Sequence, residues 1–151
     1  MISYKGLLGE ARKAIKTAEH LLVITYPFSG DPKMLVGIIK SIAYAQRSGL
    51  NAFIEQGIEE KTIPPLQDDY TGRLNWIILR GLFDDEQVKL LREVCLLIEM
   101  QEKCPIEFVR KDKYILYGDN YHIKTINAKE VQEYLTKTKL FIEKVTSAIN
   151  Q

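Results

Sequence analysis

Apolar residues recur at three- and four-residue steps along most of this chain, and the departures from that period are short. From Ser3 to about Thr25, Tyr4, Leu8, Ala11, Ile15, Ala18 and Leu22 follow helical spacing, with Leu7, Ala14 and Leu21 widening the face. Pro27 is expected to end this first helix, because the residue before a proline is pushed from helical dihedrals. Asp31 to Gly57 then reads as one long helix, with Asp31 as cap, Pro32 at its first position and Gly57 as its left-handed terminator. Between Met34 and Gln56 only Lys40, Arg47 and Glu55 are charged, so its exposed strip must be narrow and the helix central. Gly37, Ser41, Ala45, Gly49 and Ala52 form a row of small residues, expected to approach Ala11, Ala14 and Ala18 of the first helix closely.

The pattern breaks from Ile58 to Thr71, where Pro64 and Pro65 favour an extended loop, read as a solvated connector with a binding loop as the alternative. Leu74 to Leu79 is too short for its period to separate helix from strand; its helical flanks favour a helix ending near Gly81. Asp84 or Asp85 caps a further helix to about Lys103, with Val88, Leu91, Val94, Cys95 and Ile98 on one face and Pro105 beyond it. The next run is β-branched, aromatic and alternating, broken at Lys111-Asp112-Lys113 and Gly118-Asp119-Asn120. It predicts antiparallel strands over Glu107–Arg110, Tyr114–Tyr117 and Tyr121–Ile126. Asn127 with Glu130 resembles a capping box opening a final helix, Ala128 to about Ile149, whose apolar stripe is Val131, Leu135, Thr138, Ile142, Val145 and Ile149. The expected fold is mainly α: an antiparallel four-helix bundle with a small three-stranded β-meander before the C-terminal helix, in a single domain spanning residues 1–151.

Composition narrows the chemistry more than it names it. The 151 residues are 46% hydrophobic and 27% charged with a formal net charge of +1, so no global field selects nucleic acid, membrane or acidic substrate. Cys95 and Cys104, nine residues apart on one expected helix, would lie about 13 Å apart, too far for a disulfide, and read as thiols of a reducing compartment. Neither a signal-peptide pattern nor a membrane-length apolar run is visible, which predicts a cytoplasmic protein with no membrane partner.

The chain has no phosphate-cradling glycine loop, paired histidines, Cys-x-x-Cys or nucleophile elbow, so no cofactor, metal site or catalytic residue is expected. His20 reads as a boundary residue satisfied by a neighbour, a catalytic base being the alternative. Arg110, Lys111, Lys113, Tyr114, Tyr117, Tyr121, His122 and Lys124 cluster within fifteen residues. Interleaved cations and aromatics suit single-stranded RNA, with phosphates on the charges and bases on the rings; a lysine-protected hairpin is the alternative. On the long helix, Lys40, Tyr44, Arg47, Asn51 and Glu55 share a face. They are either its exposed strip or a polar seam lining a groove or crossing a dimer axis.

The first helix reads EARKAIKTAEHLL and is followed by a long helix rich in small residues and by a C-terminal helix. In this the chain resembles HEPN-type proteins, small prokaryotic four-helix domains that are often dimeric and include ribonucleases, toxins and nucleotide-binding modules. The resemblance covers roughly Ser3 to Gln56 plus the last helix. That family's catalytic mark is an arginine followed four to six residues later by histidine. Arg12 precedes His20 by eight residues and Arg110 precedes His122 by twelve, so no functional residue carries over. The strand insertion before the last helix also departs from the family's simplest form. The leading expectation is a non-catalytic interaction or scaffold module, homodimeric and open to a protein partner. An RNA-binding accessory protein using the meander is the alternative, and a divergent ribonuclease or nucleotide-binding protein the third reading.

Overall fold

A computed structural model describes residues 3–104, 106–118 and 122–150. It is mainly helical, with a small antiparallel sheet before the C-terminal helix. The helices are α1 (Tyr4–His20), α2 (Tyr26–Ser29), α3 (Lys33–Glu59), α4 (Tyr70–Leu79), α5 (Asp85–Lys103) and α6 (Ala128–Ile149). A π-helical turn, Leu21–Thr25, joins α1 to α2. The strands β1 (Ile106–Arg110), β2 (Lys113–Tyr117) and β3 (Ile123–Ile126) pair in the order β1-β2-β3. Pro105 and the Asp119-Asn120 break lie outside the described residues, as does the Tyr121 start expected for the third strand.

The long helix is the hub. α1, α4, α5, α6 and strand β2 all pack against α3, the contact with α1 being the most extensive. Leu35, Ile38, Ile39, Ile42, Leu50 and Ile54 are buried along it. Gln46 is buried too, and its amide donates to the Thr138 hydroxyl of α6 at 2.9 Å, so burial strands no donor there. Phe83, in the α4–α5 connection, wedges between Phe53 of α3 and Phe141 of α6, at centroid distances of 5.2 and 5.5 Å.

Several helix ends follow their expected chemistry. The Asp31 carboxylate accepts the Lys33 N–H at 3.0 Å, and Asp84 forms a reciprocal capping box with Gln87. Asn127 accepts the Glu130 N–H, but the Glu130 side chain makes no return bond; it takes Lys124 and Tyr134 instead. Cys104 caps α5 rather than lying within it. On α5 the buried face is Leu90, Leu91, Val94 and Leu97, rotated from the predicted stripe so that Val88, Cys95 and Ile98 are half-buried.

Pro27 does not end the first helix. The wider π turn before it gives the pyrrolidine ring room against the preceding turn, and the helix runs on to Gly30, which takes φ +60° and donates to the Tyr26 carbonyl at 2.8 Å. Gly57 likewise lies inside α3. Its carbonyl accepts the N–H groups of Thr62 and Ile63, the left-handed position falls on Lys61, and Ile63 folds back over the glycine. The connector is thereby shortened and anchored at its start.

The small-residue row divides too. Gly49 faces Phe141 and Ile142 of α6 rather than α1, and Gly37 is exposed with open space around it. A β-carbon at residue 57 would lie 2.5–3.2 Å from three Ile63 side-chain atoms. Gly57→Ala should therefore lose stability, by roughly 1–2 kcal/mol net, because overpacking outweighs a helix-propensity gain of about 1 kcal/mol. Gly37→Ala should keep that gain and stabilise by about 0.5–1 kcal/mol. Urea denaturation of both variants checks the opposite signs.

Candidate functional site

The polar row predicted on the long helix divides between two sites. Lys40, Tyr44 and Arg47, spaced by four and three residues, line a cleft of about 340 Å³ between α3, the start of α4 and α5. Tyr70 and Thr71 close one end, while Val94, Cys95, Ile98, Glu99 and Glu102 of α5 form the opposite wall. The Arg47 guanidinium sits 5.1 Å from the Tyr70 ring centroid, in range for a cation–π contact. Burial raises the Tyr70 phenol above its ordinary pKa, so it stays protonated near neutrality. The Cys95 thiol is also pushed up, chiefly by burial and then by Glu99, with Arg47 opposing. A protonated half-buried thiol is a poor nucleophile. Tyr44, at the cleft's outer edge, donates to the Glu10 carboxylate of α1, and this bond is the main reason its phenol is held above its usual range.

Asn51 and Glu55 turn instead to Arg73, a functional-looking residue that sequence reasoning missed. Arg73 is only 5% exposed. Its guanidinium meets Glu55 at 2.9 Å and the Asn51 amide oxygen at 3.3 Å. It also donates to the carbonyls of Gln67 and Leu66 at 2.8 and 3.4 Å. This fork fastens the Pro64-Pro65 connector onto α3. The available signal was a lone arginine within a short apolar segment, with a matching carboxylate on an otherwise apolar helix.

The basic, tyrosine-rich residues of the meander do not share one face. Across an antiparallel pair, directly opposed side chains lie on the same side. Arg110 opposes Lys113, and both are exposed on the outer face beside Tyr117, whose ring stacks on Phe108 at 5.6 Å. Tyr114 is buried on the inner face, and Lys124 lies on that side opposite Leu116, paired with Glu130 at 2.6 Å. Lys111 occupies the two-residue β1–β2 turn with φ +57°. His122 is exposed before β3, and Tyr121 lies outside the described residues. His20 is exposed at the end of α1; among the described residues neither histidine side chain makes a hydrogen bond.

Among the described residues no group of three or more histidine, cysteine, aspartate or glutamate side chains could hold a metal ion. No described helix is long and apolar enough to cross a membrane. The chain matches no protein-family model, and neither a curated protein nor a solved structure shows significant similarity to it.

Removing one partner of the Arg73–Glu55 pair leaves a charge without compensation in a largely dry setting. Arg73→Ala should cost roughly 3–5 kcal/mol by denaturant unfolding. It should also expose the 60–69 connector to limited proteolysis. Glu55→Gln, which keeps a hydrogen-bond acceptor, should cost less.

Proposed function

We propose that the protein is a non-catalytic interaction module of the cytoplasm that works as a homodimer. In this reading α1, α3, α5 and α6 form an antiparallel four-helix bundle of HEPN-like character, and the sheet is its docking edge. The observation that carries the proposal is strand β1. Glu107, Phe108, Val109 and Arg110 are all exposed along it. Among the described residues β1 pairs with β2 alone, so its outer edge offers free backbone donors and acceptors. Phe108 and Val109 are 39% and 37% exposed, and the strand lacks a proline or bulge that would blunt it. Antiparallel pairing of β1 with β1 of a second copy would satisfy that edge and cover both side chains. The isolated histidines and the mismatched arginine–histidine spacings favour a non-catalytic role over a divergent ribonuclease or nucleotide-binding one.

Light scattering on the eluting protein should give about twice the 17.4 kDa chain mass. Val109→Lys, which places a charge on the edge, should return it to the monomer mass. One chain mass for the unmodified protein across the accessible concentration range would refute the dimer.

The second reading, a single-stranded RNA binder, rests on the outer face, where the stacked Phe108 and Tyr117 rings lie beside Arg110 and Lys113. If it holds, fluorescence anisotropy will show binding of a short labelled RNA that weakens with salt. The log–log slope should be roughly −1.4 for two phosphate contacts, and Arg110→Ala/Lys113→Ala should abolish binding.

A further inference from the structure

The cleft between α3 and α5 is charged with opposite sign on its two walls. Lys40 and Arg47 stand on α3, and Glu99 and Glu102 on α5. Elsewhere the chain brings opposite charges together readily, as at Arg73–Glu55, Lys124–Glu130 and Lys144–Asp84. Among the described residues no ion pair bridges this cleft. Long flexible side chains of opposite sign pair when they can reach, so the cleft holds these groups beyond ion-pair distance. Cys95, between them, feels both walls: Glu99 raises its pKa and Arg47 lowers it.

We propose that this cleft binds a small zwitterion of the free amino-acid type, its carboxylate held by Arg47 and Lys40 and its ammonium by Glu99 and Glu102. The charges exclude simpler occupants. A polyanion would meet two carboxylates, and a polyamine would meet two cations. A ligand carrying one charge of each sign, a few bonds apart, complements both walls. Arg47 is pre-set for the task, since stacking on Tyr70 fixes the guanidinium plane while leaving its edge N–H groups free for a carboxylate. Val94 and Ile98 give an apolar strip for the ligand's side chain. The cleft volume of about 340 Å³ falls within the range of small-molecule pockets.

The test is thermal unfolding and calorimetric titration of the full chain with a panel of free L-amino acids. Any that binds is repeated as its N-acetyl and its carboxamide derivative, each lacking one charge. At least one free amino acid should raise Tm by about 3 °C or more at saturation. Both derivatives should bind at least tenfold more weakly. Arg47→Gln and Glu99→Gln should each weaken binding tenfold or more with the ligand-free Tm little changed. Should either fail to fold, Lys40→Gln and Glu102→Gln carry the same comparison. No shift with any amino acid would overturn the proposal. So would undiminished binding of the derivatives, or undiminished binding by folded variants.

Discussion

Everything in this fold is arranged to keep water from a single helix. α3 is 27 residues long and buries side chains around most of its circumference. No one neighbour can cover so wide a face. Each fully buried leucine or isoleucine is worth about 1.5–3 kcal/mol, and Leu35, Ile38, Ile39, Ile42, Leu50 and Ile54 supply six of them. α1 and α6 take the broadest contacts, while α5, α4 and β2 fill what remains. The polar groups caught within this coverage are satisfied inside it. Gln46 finds Thr138, and Glu55 finds Arg73. The second pairing also ties down the connector, so a solvation requirement on α3 fixes the path of a loop remote in sequence.

Much of that plan was legible because it depends on local rules. Caps at Asp31, Asp84 and Asn127 are short-range hydrogen bonds, and helical period survives any choice of neighbour. The β alternation gave the three strands for the same reason. The misreadings came where tertiary contact decided. Pro27 ordinarily stops a helix, but a π turn accommodates its ring and Gly30 provides the stop. Gly57 looks like a terminator, yet its missing β-carbon serves Ile63 instead. A row of small residues promises close approach without naming the partner, and Gly49 found α6 rather than α1.

The candidate sites follow the same division. Spacing placed Lys40, Tyr44, Arg47, Asn51 and Glu55 on one face, and that face exists. Its split into a cleft and an arginine anchor depends on α4, whose Tyr70 and Arg73 point to different parts of the row. On the meander, composition brought eight residues together while strand register separates them. Lys113 and Lys124 lie on opposite sides of the sheet, which no count of basic residues can reveal.

The cleft's position is itself a consequence of how α3 is covered. A helix carrying Lys40 and Arg47 on its outer strip cannot be sealed there by apolar side chains without burying two uncompensated charges. α5 meets the problem with Glu99 and Glu102, and α4, ten residues long, reaches only the end with Tyr70 and Thr71. Full closure would have drawn the charges into ion pairs, as happened at Arg73. The walls stop short of that, leaving matched charge facing an open volume. The arrangement that keeps the hub helix dry therefore also leaves a polar cavity beside it, with complementary charges on helices that the core already holds in place.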